Sequence, residues 1–241
     1  MKSQSGRGQS AASIGKNESF FRDHHGAYSE GVSNLDTYVH LRAAINQAIS
    51  GIGLLLDVGN GGVFDYDPAQ CGEVVALDLF LDQLPASYIP PPNARLKPGS
   101  ALDIPDADGS YDGVLLVMLI HHLVGESPGE SAANMRRAIA EAFRVLRQGG
   151  KLIVVESCVP SWFYAFERLV FPVAAPFINR ISEHPATLQY TPRLIASTME
   201  SVAGRRVVVA PIPKGKWILQ FGHKWPSALT PASPFLFTMT K

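Results

Sequence analysis

Cysteine is nearly absent from this chain: Cys71 and Cys158 are the only two in 241 residues. Neither has a partner at metal-ligand or redox spacing, so a disulfide framework and a structural zinc site are excluded. Both read as small apolar fillers in a reduced, cytoplasmic protein, and no metal is expected. Charge is also scarce. Charged residues make up 17% of the chain, against roughly 25% in an average globular protein. Lys plus Arg and Asp plus Glu number 21 each, so no net field gathers nucleic acid. No apolar run is long enough to span a bilayer. The opening "MKSQSGRGQSAASIGKN" lacks the apolar stretch of a signal peptide and reads as a disordered tail over 1–17.

What remains is apolar material for one large core, 46% of the residues. This length fits a single α/β domain over 18–241. Apolar residues Leu35, Tyr38, Val39, Ile45, Ala48 and Ile49 recur at helical spacing, with Asn34 as cap and Gly51 as stop. Strands follow at 52–58, at "EVVALDLF" ending on Asp78, near 94–97, and over about 112–118 in "YDGVLLVMLIHHL". The helix "SAANMRRAIAEAFRVL" puts Ile139, Ala142, Phe143 and Leu146 on one face and stops at Gly149–Gly150. "KLIVVE" is a fifth strand. Thr191 and Pro192 cap a helix reaching Val202, with Gly204 after it. "RRVVVAPI" and "PFLFTMTK" close the sheet. Strands alternating with helices predict a Rossmann-like, doubly wound sheet, mostly parallel with an antiparallel closing strand.

The chemistry concentrates in "LLLDVGNGGVFDY", residues 54–66. A buried strand runs into Gly59, Gly61 and Gly62, where the backbone can be approached closely by a ligand. A helix beginning just beyond would aim its free N–H groups at that ligand. A dinucleotide fingerprint wants a third small residue for helix packing, and Phe64 stands in its place, which counts against NAD. Asp78, at the end of the second strand, is placed to bind ribose hydroxyls in either nucleotide family. Asp112 reads as holding a turn before its strand, and Asp103 as surface. His121 and His122 end a central strand, where open α/β sheets place their ligands. His122 reads as a packed structural histidine and His121 as either structural or functional. His24, His25 and Tyr28 precede the fold as an exposed arm or a substrate cover.

Taken together, residues 50–157 resemble the class I S-adenosylmethionine (SAM) methyltransferases, in particular the small-molecule "type 11" branch. The strand and D-x-G-x-G motif falls on Asp57, Gly59 and Gly61, and the ribose acid on Asp78 in "VVALDLF". The third-strand motif falls on "GSALDIP", where Ser100 replaces the aspartate that commonly accepts from the adenine amino group. "DGSYDGVLLVMLIHHL" and "AFRVLRQGGKLIVVE" match the fourth and fifth strands. The resemblance implies SAM as cofactor, held by Asp57, Gly59, Asn60, Gly61, Asp78, Leu79, Ser100, Ala101 and Met118. It departs from the family at Val63, where a third glycine is usual and Gly62 is displaced by one position. Some sugar O-methyltransferases of this group activate their acceptor with the first His of a His-His pair and an acid ending the fifth strand. Those positions are His121 and Glu156 here, with glutamate in place of aspartate.

The segment 158–190 carries Trp162, Phe163, Tyr164, Phe166, Phe171 and Phe177. It is expected to be a helical lid over a hydrophobic acceptor, with a dimer interface or a membrane-surface contact as alternatives. Glu167 and Arg168 interrupt the stripe, which argues against stable membrane insertion. The expected activity is methyl transfer to a small apolar or aromatic molecule, with O-methylation in natural-product metabolism as the expected outcome. N- or C-methylation, an NAD(P)-dependent oxidoreductase and a non-catalytic SAM-binding protein stand as alternatives. A nucleic-acid methyltransferase is disfavoured, because "MLIHHL" replaces the usual Pro-Pro-aromatic motif.

Overall fold

The computed structural model describes residues 36–181, 186–220 and 223–241. Asn34, the expected cap, and the arm with His24, His25 and Tyr28 lie outside them, as does the expected 1–17 tail. The chain runs through helix α1 (Asp36–Ile49), strands β1 (Leu54–Val58), β2 (Glu73–Asp78), β3 (Ala94–Pro98) and β4 (Tyr111–Val117), and helix α2 (Pro128–Val145). It continues through β5 (Leu146–Cys158), α3 (Ser161–Ile181), α4 (Pro192–Ala203), β6 (Val208–Pro211), β7 (Trp217–Gln220), β8 (His223–Pro226) and β9 (Ser233–Thr240).

Seven strands form one sheet in the order β3-β2-β1-β4-β5-β9-β6. The first five pair in parallel, and β9 runs antiparallel to both β5 and β6. This is the doubly wound, mostly parallel sheet the alternation of elements predicts. The strand side-chain period of two sorts the core onto its two faces. Leu55, Val74, Leu115, Ile153 and Val155 pack with Leu41, Ile45, Ala48 and Ile49 of α1. Leu56, Val75, Val114, Leu116, Leu152 and Val154 pack with Met135, Ala138, Ile139 and Ala142 of α2 and with Ile195 and Met199 of α4. Order reverses between β1 and β4, which opens a crevice outside their carboxyl ends.

Capping explains where α2 and α4 begin. Ser127 accepts from the N–H of Glu130, and Thr191 from that of Leu194, each followed by a proline that has no N–H to satisfy. Gly204, at φ 66°, ends α4 as expected.

Three expectations need correction. No helix follows the glycine loop; only a short 3-10 turn, Pro68–Gln70, lies between β1 and β2. The connection "GNGGVFDYDPAQCG" holds Pro68 and four glycines, too little chain for a helix with a turn at each end. Gly149–Gly150 does not stop α2, because β5 starts directly at Leu146. The pairing of β4 with β5 shifts between Tyr111–Leu146 and Gly113–Lys151, so the glycines sit in an irregularity of the strand. Val39, placed on the buried face of α1, is exposed. The β7–β8 hairpin was not anticipated at all. No helix among the described residues is long and apolar enough to cross a membrane.

Candidate active site

The loop after β1 is built around Asp57, a buried carboxylate. Its Oδ2 accepts hydrogen bonds from Asn60 Nδ2 at 2.5 Å and from Tyr66 Oη at 2.7 Å. Burial pushes the Asp57 carboxyl up to about 7, against the lowering effect of those two bonds. Asn60 also donates to Val63 O and accepts from Gly62 N, so one side chain ties both ends of the turn. Gly59 and Gly61 lie at φ 76° and 59°, a region that costs a side-chain-bearing residue about 1–2 kcal/mol. A Cβ at Gly59 would also lie 2.5 Å from Leu119 Cδ1. The displaced Gly62 is likewise at positive φ, against Leu84 and Tyr88, and Tyr88 Oη donates to its carbonyl.

Asp78 ends β2 beside this loop. Its Oδ2 accepts from Gly61 N at 3.0 Å and its Oδ1 from Phe80 N at 2.8 Å. Burial holds its pKa above the ordinary aspartate value. With the N–H of Leu79 also counted, the carboxylate still has acceptor capacity for a ligand hydroxyl. An acid locked to the glycine loop fits the ribose of the cofactor implied above, and the bare glycine backbone fits its amino-acid chain. Leu79 is partly exposed next to it and Ala101 is buried. Ser100 Oγ accepts from Leu102 N at 3.1 Å, an internal turn that keeps the hydroxyl's proton for another acceptor. Asp103 is exposed, as expected for a surface residue. Asp112 holds the start of β1, accepting from Leu54 N, and pairs with Arg147.

Met118 is the one described non-glycine residue at positive φ, 49°. Such a conformation costs on the order of 1–3 kcal/mol and concentrates at functional sites. It turns the chain at the end of β4, with its N–H donating to Val155 O at 2.8 Å. The following 3-10 turn, Ile120–His122, then sits against the end of β5.

That turn brings His121 onto Glu156. His121 Nδ1 lies 2.6 Å from Glu156 Oε1, and the Glu156 side chain is fully buried. Backbone N–H groups of Ile120, His121 and Ser157 also point at the Glu156 oxygens, at 2.9, 3.4 and 2.7 Å. A carboxylate surrounded by donors only accepts, so Nδ1 carries the proton and the lone pair of the neutral ring is on Nε2. The imidazole is oriented, and its basic nitrogen is the distal one. His122 stacks obliquely on His121, with ring centroids 4.2 Å apart.

The aromatic segment forms α3, with Phe171 and Ala175 buried inward and Trp162, Phe166, Leu169, Val173 and Phe177 exposed outward. Glu167 does more than interrupt a stripe. Its Oε2 accepts from Gln189 N at 2.9 Å, burial pushes its carboxyl up to about 7, and His121 lies within electrostatic reach of it. Leu188 N donates to His121 O at 3.1 Å, which fastens residues 186–190 to the same corner. Tyr66, Tyr88 and Tyr190 escaped the sequence reading, and so did the role of Glu167 in the site. They belong to no motif, and only tertiary contacts bring them here.

Residues 56–154 match the family model described as "Methyltransferase domain". Over that stretch the chain is similar to the class I SAM-dependent methyltransferases. It is similar to the demethylmenaquinone methyltransferase of Renibacterium salmoninarum, with 32% identity over 141 residues, 56% of each chain. It is 28% identical over 143 residues to that of Beutenbergia cavernae, 56% of this chain and 55% of the other. The chain thus spans about half the length of the curated relatives it matches. Among solved structures, geranyl diphosphate methyltransferase in complex with SAM superposes with a TM-score of 0.55 at 15% identity, covering 83% of this chain and 84% of that one. Human N-acetylserotonin methyltransferase, also with SAM, gives 0.58 at 13% identity, covering 95% and 58%. A cyclase shares the fold as well, with a TM-score of 0.54 at 13% identity over 83% and 79% of the two chains. At such identities these structures establish the fold, and the chemistry must come from the site.

Proposed function

We propose that this chain transfers a methyl group from SAM to a small, largely apolar aromatic acceptor carrying an ionisable hydroxyl, with His121 as general base. The observation that carries this reading is the 2.6 Å contact between His121 Nδ1 and the buried Glu156. SAM supplies a sulfonium-bound methyl group open to in-line displacement. Asp78 would hold the ribose, the Gly59–Gly62 backbone the amino-acid chain, and Ser100 and Ala101 the adenine side. His121 Nε2 takes the acceptor's hydroxyl proton, and Glu156 stabilises the imidazolium that forms. The aromatic inner surface of α3 and the 186–190 segment exclude water and hold the apolar body of the acceptor in attacking position.

The deprotonated oxygen can itself take the methyl group, which is the O-methylation expected from the sequence. The relatives favour a second reading. They are named for a quinone acceptor, and a quinol ring deprotonated at one hydroxyl becomes nucleophilic at carbon. The same base serves both outcomes. The test is a calorimetric titration with SAM, followed by assay of S-adenosylhomocysteine formed with 1-naphthol and with 1,4-dihydroxynaphthalene. Mass spectrometry then distinguishes O- from C-methyl products. Absence of SAM binding, or binding without turnover on either ring, would defeat the proposal.

A further inference from the structure

Tyr190 is buried to 1% exposure, yet its hydroxyl has no hydrogen-bond partner among the described residues. An orphaned buried hydroxyl forgoes the bonds it made to water, so a structure that keeps one invites a ligand atom at that spot. The residue is firmly placed. Its backbone bridges to Cys158 at the end of β5, and Val159 N donates to its carbonyl at 2.9 Å. Tyr164 of α3 packs beside the ring at 6.1 Å between centroids, with the Arg168 guanidinium 5.6 Å above Tyr164. Glu156 and Glu167 both act electrostatically on the Tyr190 phenol. Tyr190 bridges to Cys158, two residues after Glu156, and follows Gln189, whose N–H donates to Glu167 Oε2 at 2.9 Å, so both carboxyl groups belong to the same corner.

Resting on the proposed function above, we propose that Tyr190 and Glu167 form a subsite for a second hydroxyl of the acceptor, so that the enzyme selects dihydroxylated aromatic rings. The two groups are complementary to a hydroxyl: the phenol donates and the carboxylate accepts. The reacting hydroxyl cannot satisfy both, because its proton goes to His121 Nε2 and none is left for Glu167. Glu156 is already occupied by N–H donors and cannot accept it either. Burial and the neighbouring carboxylates raise the Tyr190 phenol far above its ordinary value, so it keeps its proton and remains a donor at any working pH. A site built to bond a hydroxyl rejects the analogue lacking it, because its own buried groups are then left unpaired.

The test compares affinities of the S-adenosylhomocysteine-loaded protein for 1,4-dihydroxynaphthalene, kept reduced under anaerobic conditions, and for 1-naphthol. Wild type should bind the diol at least tenfold more tightly. Tyr190→Phe removes only an unbonded hydroxyl, so it should melt no lower than wild type, and its preference should fall below about twofold. Glu167→Gln, which keeps the shape but not the carboxylate, should also narrow the preference. Equal affinities in wild type, or a preference that survives Tyr190→Phe, would overturn the proposal. The function itself is judged separately, by SAM binding and by turnover of 1-naphthol, which has only the reacting hydroxyl.

Discussion

Replacing Asp57 by asparagine should change how stability depends on pH, and the size of the change follows from the loop. Burial raises the Asp57 pKa to about 7 in the folded chain, against 3.8 for an unperturbed aspartate. Its folded pKa is raised, so the native state holds a proton that the unfolded chain gives up. Stability is then complete below about pH 4 and falls as pH rises through 7. The full difference amounts to about 4 kcal/mol, of which roughly 3 kcal/mol is lost between pH 5 and pH 8. Asparagine mimics the protonated acid, and because Asn60 and Tyr66 both donate to the single oxygen Oδ2, an amide oxygen there keeps both bonds. Urea denaturation of wild type and Asp57→Asn at pH 5 and pH 8 provides the comparison. Glu167, also raised to about 7, titrates in both proteins and cancels. Wild type should lose roughly 3 kcal/mol more than the variant across that interval. Parallel losses would refute the burial of an acid at this position.

Gly59→Ala should weaken SAM binding by tenfold or more in calorimetry, because its Cβ lies 2.5 Å from Leu119 Cδ1 at a φ of 76°; unchanged affinity would contradict the loop geometry. Glu156→Gln should lower kcat by ~10²-fold, since either amide rotamer removes the charge that supports protonated His121. It should also cost about 1–3 kcal/mol of stability on denaturation, because its NH₂ must face the N–H of Ile120 or Ser157. A kcat within threefold of wild type would show that Glu156 is only structural.

Strands β1, β2, β4 and β5 were legible because they carry continuous apolar runs, and a strand covered on both faces leaves no other pattern. The caps of α4 were legible from Thr191, Pro192 and Gly204 alone. Gly149–Gly150 misled, since the same two glycines that end a helix also permit a strand irregularity, and only the pairing with Tyr111 and Gly113 decides. The helix expected after Gly62 came from the way helix N-termini receive ligands, and the short connection could not accommodate it. Within the site, Asp57 and Asp78 were visible through their positions at strand ends; His121, read as ending β4, lies in the 3-10 turn just beyond it. Tyr66, Tyr190 and the role of Glu167 were not visible, because burial and an unpaired hydroxyl are properties of the packed chain and leave no local mark.

The central claim is that His121 acts as the base in methyl transfer and does not merely pack the site. The direct measurement is kcat and SAM affinity of His121→Ala beside wild type, with 1-naphthol as acceptor. The account predicts a fall in kcat of ~10²-fold or more, with the SAM dissociation constant within twofold. A fall of less than tenfold, or an equal loss of SAM affinity, would contradict it.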